Sequence, residues 1–205
     1  NGEAYLAEEA TEQMFRKYAP EYGVLHMSMH ALFTHSDPMY SGLVFSLPSD
    51  KPESLPLEED GILHAYELYT LNLRAQLAVL SACQTGDGAW QRGEGVASLA
   101  RAFRYAGCPN IVMSLWEAED EATSALMGYF FEHLSAGLPR PEAFRKARLD
   151  FLEQTDKRHP HYWASFVYMG DGLPLQKERS KWPFMLAGLC CGLVVMLILR
   201  RKRKA

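Results

Sequence analysis

The chain has 205 residues, of which 48% are hydrophobic and 22% charged, a composition that is typical of a folded globular protein and argues against disorder. Its net charge of −4 is uneven: residues 177–205 carry eight basic side chains and one acidic one, which leaves −11 for residues 1–176. The acidic charge of residues 1–176 argues against a nucleic-acid partner, because nucleic-acid-binding domains present basic surfaces.

In chain order, the apolar periodicity predicts helices that alternate with strands. An amphipathic helix is expected over 3–18, a buried strand over 23–29 and a further strand over 42–46. Prolines and acidic residues over 48–60 indicate an exposed excursion, which ends in a turn at Asp60-Gly61. The remaining predicted elements are a short helix at 64–70, strands at 76–82, 110–116 and 163–169, and helices at 93–107, 120–135 and 141–153. This alternation predicts an α/β fold with a mostly parallel central sheet and flanking helices.

The C-terminal region has a different pattern. Residues 182–199 form an 18-residue run without a charged side chain, and as a helix this run would extend roughly 27 Å, enough to cross a bilayer core of about 30 Å. Trp182 lies at one end of the run and a basic tail, 200–205, at the other. We therefore predict a single-pass transmembrane helix over 182–199, which follows a soluble domain over 1–176.

The distribution of positive charge suggests an orientation in the membrane. Three cations precede the span and five follow it, which favours a cytoplasmic C-terminus and a periplasmic domain in a bacterial cell. A cytosolic, tail-anchored protein is the alternative. Because the chain begins at Asn1 rather than Met, we also expect a longer protein whose upstream part includes the beginning of this domain.

Two chemically reactive side chains follow predicted strands. His30 comes after the strand at 23–29, and Cys83 comes after the continuous apolar strand at 76–82. Ligands of open α/β sheets bind beyond the carboxyl ends of the strands. A nucleophilic cysteine needs a nearby base or cation to form its thiolate, and histidine supplies either role. From these residues alone, a packed thiol and a structural histidine remain the alternatives.

Metal binding is not predicted. No two cysteines form a CxxC pair, and no spacing of histidine and cysteine matches a structural zinc site. His26, His30 and His35 invite a metal interpretation, but His26 and His30 would lie about 13 Å apart along a strand, too far to share one ion. The three other cysteines are expected to be packed or to face lipid; they are Cys108, Cys190 and Cys191.

Two longer motifs carry a resemblance to a known family. The run Val79-Leu-Ser-Ala-Cys-Gln-Thr-Gly86 resembles the nucleophile segment of the CHAT family, and Leu25-His-Met-Ser-Met-His30-Ala-Leu-Phe33 resembles its histidine segment. Further matches follow in order: Gly93-Glu-Gly-Val96, Leu99-Ala-Arg-Ala-Phe103, Ala106-Gly107, Ser114-Leu-Trp116 with Asp120, and His159-Pro-His-Tyr-Trp-Ala-Ser-Phe166. The similarity extends over residues 3–173.

The resemblance implies a fold and an activity. CHAT domains are related to caspases, separases and gingipains, so we expect a caspase-like α/β sandwich and a cysteine endopeptidase that cleaves protein substrates. By position, His30 is the general base, Cys83 the nucleophile and His26 a structural histidine. The backbone amides of Ala31 and Cys83 are expected to form the oxyanion hole. No metal or organic cofactor is implied. Family members are often regulated by a partner or by tetratricopeptide (TPR) repeats.

This sequence departs from the family pattern at one position. Ala31 stands where the family usually has glycine after the catalytic histidine, and alanine would impose a cost if that position required a positive φ. The alternative function is therefore a catalytically degenerate scaffold that binds a peptide or protein partner at the membrane. A small-molecule thiol hydrolase is a third, less specific interpretation of the same Cys–His pair.

Two acidic residues are candidates for the substrate pocket. Asp120 follows the strand at 110–116 and is expected to line the pocket for a basic residue before the scissile bond. The alternative is that Asp120 only stabilises a helix N-terminus. Glu94, in the Gly-Glu-Gly segment, is expected to orient the active-site loop.

Overall fold

The computed structural model describes residues 2–34, 36–47, 60–84, 92–117 and 119–176, with the backbone alone at 82–84 and 92–96. Residues 1–175 form one compact unit, and the unit that follows is described only at Gln176. The predicted transmembrane helix over 182–199, the basic tail and residues 48–59 of the predicted excursion thus lie outside the described residues. Within those ranges, no helix combines the length and apolar character needed to cross a membrane.

The described residues confirm an α/β fold, built on a six-stranded sheet. The strands are β1 (Val24–Leu32), β2 (Gly42–Val44), β3 (Ile62–His64), β4 (Leu77–Gln84), β5 (Ile111–Ser114) and β6 (Phe166–Met169). The α-helices are α1 (Glu12–Tyr18), α2 (Ala65–Leu68), α3 (Arg92–Tyr105), α4 (Asp120–Ser135), α5 (Arg140–Gln154) and α6 (Pro160–Trp163). Three short 3-10 turns precede β2: Ala7–Glu9, Ala19–Glu21 and Pro38–Tyr40.

The sheet is mixed, so the prediction of a mostly parallel sheet was wrong. In the order β3-β2-β1-β4-β5-β6, the central β1–β4 and β4–β5 pairings are parallel, whereas the three outer pairings of the described strands are antiparallel. Among the described residues between β1 and β2, the chain forms a 3-10 turn and no crossover helix, and such short connections join antiparallel strands. Between β5 and β6 the chain forms the long helices α4 and α5, which pack against each other, and β6 then runs antiparallel to β5.

Two apolar clusters cover the two faces of the sheet. On β4, alternate residues divide between them: Ala78 and Leu80 belong to one cluster, and Leu77 and Val79 to the other. The first cluster includes residues of α2 and α3, and the second includes residues of α4 and α5. Because β4 is covered on both faces, its sequence is a continuous apolar run, as the sequence predicted.

The first helix is much shorter than the sequence predicted. Instead of a helix over 3–18, only Glu12–Tyr18 is α-helical, and Ala7 before it has a positive φ of 48°. The helix begins at residue 12 because Thr11 caps it: the Thr11 hydroxyl accepts a hydrogen bond of 3.3 Å from the Met14 amide. An N-cap residue has extended backbone and therefore marks the start of a helix.

Asn110 joins the start of β5 to the end of β6. Its side chain is fully buried and donates from Nδ2 to the Gln76 carbonyl oxygen at 2.9 Å. Its Oδ1 accepts from the Asp171 amide at 2.8 Å. Gly170 approaches so closely, with φ at 151°, that a Cβ atom on it would lie 2.1 Å from Asn110 Oδ1. The contact therefore requires glycine at position 170.

Candidate active site

The parallel register of β1 and β4 brings the two predicted reactive residues together. His30 and Cys83 are direct partners across the two strands, and Ser28 and Ser81 are partners two residues earlier. Adjacent strands lie about 4.8 Å apart, so the two backbones are close enough for an imidazole–thiol contact. Both strands are longer than predicted and extend to Leu32 and Gln84. His30 and Cys83 therefore lie within the last residues of their strands rather than after them.

A cavity of about 200 Å³, lined mostly by polar residues, opens beside His30. It lies at the carboxyl ends of the central parallel strands and next to the N-terminus of α4, where ligands of α/β sheets usually bind. Asp120, the first residue of α4, also lines it, so the structure brings the predicted base and the predicted pocket residue to one cavity. The lining residues are Ser28, Met29, His30, Ser81, Ser114, Asp120, Thr123 and Phe166.

Three serines on neighbouring strands line this cavity. Ser28 stands opposite Ser81, and Leu80 is paired with Met113, so Ser81 falls next to Ser114. The side chain of Ser81 is 8% exposed, and its Oγ atom has no hydrogen-bond partner among the described residues. Sequence reasoning missed this group. The signal that could have found it is the single hydroxyl in the apolar run of β4, two residues before Cys83.

Ala31 is accommodated without backbone strain. It lies within β1, opposite Leu43 on one neighbouring strand and Gln84 on the other. Its side chain is fully buried in the core on the other face of the strand from His30, and its φ is not positive. Alanine therefore costs little at this position. The proposed role of the Ala31 and Cys83 amides in an oxyanion hole stays a prediction.

His26 lies two residues before Ser28 on the same strand but does not line the 200 Å³ cavity. Its ring packs 5.4 Å from the ring of Phe131, and partial desolvation by such neighbours lowers the pKa of the imidazole, although part of the side chain remains exposed. His35 lies outside the described residues. Within the described part of the chain, no group of three or more histidine, cysteine, aspartate or glutamate side chains could hold a metal ion.

Hydrogen bonds connect the segment before Asp120 to the segment before β6. The Trp116 indole donates to the His161 carbonyl oxygen at 3.0 Å, and the Leu115 amide donates to the Ser165 carbonyl oxygen at 2.8 Å. Lys157 forms ion pairs with the two acids that flank Asp120, Glu119 and Glu121. These contacts join two of the motifs found in the sequence and fix the position of Asp120 at the cavity.

The other predicted pocket residue is less well defined. Glu94 is the third residue of α3, and its side chain lies outside what the structure describes, so its role stays a prediction. His30 also borders a larger cavity of about 710 Å³, which is lined largely by apolar and aromatic residues such as Phe15 and Tyr22. The smaller cavity is the better candidate for substrate recognition, because Asp120 and the three serines converge there.

Comparison with known proteins identifies relatives of this chain. The family model of the CHAT domain matches residues 1–171. Tetratricopeptide repeat protein 28 of Mus musculus is 27% identical over 162 residues, which cover 72% of this chain and 7% of that protein. Its counterpart in Homo sapiens is 27% identical over 159 residues, 70% of this chain and 6% of that protein. The chain thus spans less than a tenth of the length of these relatives.

Proposed function

The chain belongs to the CHAT family, and from this we propose that it is a caspase-like cysteine endopeptidase with Cys83 as nucleophile and His30 as general base. The observation that carries the proposal is the register of β1 and β4, which pairs His30 with Cys83 beside the cavity that Asp120 lines. The acidic and hydroxyl groups that line the cavity support a peptide side chain as its occupant.

The proposed reaction uses groups of this chain alone. His30 takes the proton of the Cys83 thiol, and the thiolate sulfur attacks the carbonyl carbon of the scissile peptide bond. The amides of Ala31 and Cys83 would donate hydrogen bonds to the oxyanion that forms. His30 then gives its proton to the leaving amine as the C–N bond breaks. A water molecule, deprotonated by His30, releases the acyl group and restores the thiol.

Asp120 supports a preference for a basic residue before the scissile bond. It lies at the cavity beside His30, and the ion pairs of nearby Lys157 are made with its two neighbours. An ammonium or guanidinium group in the cavity would therefore find a carboxylate within a partly enclosed site, where opposite charges attract more strongly than in water. Asp120→Asn should reduce cleavage after arginine far more than cleavage after a neutral residue.

Covalent labelling tests the dyad in the full-length protein. A peptide chloromethyl ketone with arginine before the electrophile should attach to Cys83, which mass spectrometry would detect as one bound inhibitor per chain. His30→Ala should slow this labelling at least tenfold, because the thiolate loses its base. His26→Ala is the matched control and should label at the wild-type rate, since His26 lines the larger cavity but not the 200 Å³ cavity that Asp120 shares with His30.

The same experiment separates an enzyme from a scaffold. A scaffold would leave Cys83 unlabelled and would bind its peptide partner equally well when Cys83 is replaced by alanine. Equal labelling of the wild type and His30→Ala would also contradict the proposed dyad. Labelling of the wild type without turnover would indicate an enzyme that needs activation, for which TPR repeats are a candidate because two relatives carry that name.

Membrane attachment through residues 182–199 remains part of the proposal. The uncharged run followed by five cations supports it. The full-length protein should sediment with membranes and resist extraction at high pH, whereas a chain that ends at residue 181 should not. Extraction of both chains with equal ease would contradict the proposal. Protease protection in sealed vesicles would then decide between a periplasmic and a cytosolic domain.

A further inference from the structure

We propose that the larger cavity, of about 710 Å³, binds the part of the substrate that follows the scissile bond, as an extended strand against an unpaired edge of β1. This inference rests on the proposed peptidase function and adds a second region of substrate recognition to it. The smaller cavity would take the side chain before the scissile bond, and the larger cavity would take the residues after it.

The first observation is an unpaired edge within the sheet. β1 pairs with β4 from Val24 to Ala31, but it pairs with β2 only at Ala31 and Leu32. Among the described residues, no strand pairs with residues 24–30 on the side of β1 that faces away from β4. An unpaired strand edge presents backbone N–H and C=O groups to which an extended peptide can add as a further strand. This part of β1 can therefore bind the main chain of a peptide.

The second observation is that the larger cavity follows this edge to the proposed base. Every residue from Val24 to His30 lines it, which is a length of roughly 20 Å in an extended strand. Ser28, Met29 and His30 line both cavities, so the two cavities meet at His30. In the proposed reaction, His30 protonates the leaving amine, which belongs to the first residue after the scissile bond. The chain that follows this amine would therefore enter the larger cavity.

The order of these contacts fixes the direction of the bound segment. It enters beside His30, near the carboxyl end of β1, and continues towards Val24 at the start of that strand. The segment therefore runs antiparallel to β1, and antiparallel pairing is slightly more stable per residue than parallel pairing. About six residues of extended peptide would span the distance between His30 and Val24.

Residues 2–7 form the wall of the cavity that faces this edge, and side-chain contacts hold them in place. The ring of Tyr5 stacks on that of Tyr18, with the centroids 5.7 Å apart, and the Ser46 hydroxyl donates to the Ala7 carbonyl oxygen at 2.7 Å. The other aromatic residues that line the cavity, besides the two histidines, are Phe15, Tyr22 and Phe45. Because aromatic rings provide a large apolar contact area, the cavity favours a segment with apolar side chains.

Glu3 gives the far end of the cavity a negative charge. It is the one carboxylate among the described residues that line the cavity, and no lysine or arginine is among them. Hydrogen bonds from the hydroxyls of Tyr22 and Tyr5 lower the pKa of this carboxyl, which keeps it ionised at neutral pH. Tyr22 lies two residues before β1 begins, so Glu3 lies at the end of the cavity remote from His30. The bound segment should therefore favour a cation over an anion near its sixth residue.

Binding of uncut peptides to the full-length Cys83→Ala protein tests the proposal without requiring turnover. Two fluorescent peptides share arginine and the residues before it; one ends a single residue later, and the other continues for six residues that alternate phenylalanine with threonine. We expect the longer peptide to bind about tenfold more tightly by fluorescence anisotropy, which corresponds to the burial of one apolar side chain. The six residues alone should bind about tenfold more weakly than the longer peptide, because they lack the arginine.

Two pairs of variants, made in the same Cys83→Ala protein, locate the bound segment. Tyr5→Ala should reduce the gain from the six residues about threefold, through loss of aromatic contact. Tyr66→Ala is its control, since Tyr66 also stacks on a neighbouring ring but does not line the cavity, and it should keep the gain. With lysine or glutamate as the sixth residue, Glu3→Lys should reverse a preference for lysine of about threefold. Glu9→Lys makes the same change of charge outside the cavity and should leave this preference unchanged.

The outcomes separate this proposal from the peptidase proposal. Long and short peptides that bind within about twofold of each other would overturn it. A gain that survives both Tyr5→Ala and Glu3→Lys would show that the segment binds elsewhere, which also overturns it. If the six residues alone bind as tightly as the longer peptide, the cavity is a docking site for a partner's strand and not a continuation of the substrate site. The peptidase proposal is tested separately by labelling of wild-type Cys83 with the chloromethyl ketone, because that inhibitor has no residue after the scissile bond.

Discussion

Replacing Gly170 by alanine should destabilise the domain strongly, because the backbone there passes directly over Asn110. The φ of Gly170 is 151°, and a Cβ atom would lie 2.1 Å from Asn110 Oδ1 and 2.9 Å from Asn110 Cα. Asn110 is fully buried, and its side chain forms hydrogen bonds with Gln76, Tyr168 and Asp171, so it cannot move without breaking them.

The magnitude follows from two costs. Backbone strain at an unfavourable φ contributes about 1–3 kcal/mol, and displacement of the Asn110 side chain sacrifices three hydrogen bonds worth about 1 kcal/mol each. We therefore expect the free energy of unfolding to fall by about 4–6 kcal/mol. For a domain of this size, the melting temperature should fall by roughly 8–24 °C.

Thermal and urea unfolding, followed by circular dichroism, would measure this change. Gly172→Ala is the matched control, since a Cβ atom on Gly172 would meet no atom within 4 Å, and it should change the free energy of unfolding by less than about 0.5 kcal/mol. If the two variants melt within 2 °C of each other, the close approach of Gly170 to Asn110 does not exist in solution.

Three further predictions concern stability and reactivity. Gly128→Ala, on an exposed and uncrowded position of α4, should raise the free energy of unfolding by about 0.5–1 kcal/mol in urea titrations, and a decrease would contradict the helix. Burial raises the pKa of Cys108 to about 12, so iodoacetamide at pH 8 should leave Cys108 unmodified in the native protein; peptide mapping that finds it alkylated as fast as a free thiol would contradict its burial. Burial also raises the pKa of Glu12 above its usual value, against the opposing effect of Arg16. The stability of the wild type relative to Glu12→Gln should therefore be greatest below about pH 4.5 and decline as the pH rises through the raised pKa; a relative stability that grows with pH in urea titrations would show that pairing with Arg16 dominates.

The sequence predicted those parts of the fold that depend on local pattern. The bounds of α4 are the predicted residues 120–135, and the apolar run before Cys83 is a buried central strand. Both follow from the periodicity of apolar side chains, which a single segment displays by itself. The same periodicity failed at the first helix, because Thr11 can cap a helix as well as lie within one, and the neighbouring chain determines which occurs.

The sequence also missed two short elements. β3 has three residues, and it is a strand only because it pairs with β2, which precedes it by about twenty residues in the chain. α6 has four residues and begins at Pro160, after the cap residue His159. Segments of this length show no measurable periodicity, so their conformation depends on contacts with distant parts of the chain.

The candidate site shows the same division. Residue type and order identified His30, Cys83 and Asp120 as candidates, because the chemistry of a thiol, an imidazole and a carboxylate is carried by each side chain alone. That His30 is paired with Cys83, and that Asp120 and Ser81 line one cavity with His30, are consequences of strand register and helix placement. Register is set by pairing between segments some fifty residues apart, and one sequence read in order cannot specify which residues will stand opposite each other. The tertiary structure alone decided that the sheet is mixed, since the direction of each outer strand depends on how the intervening chain packs.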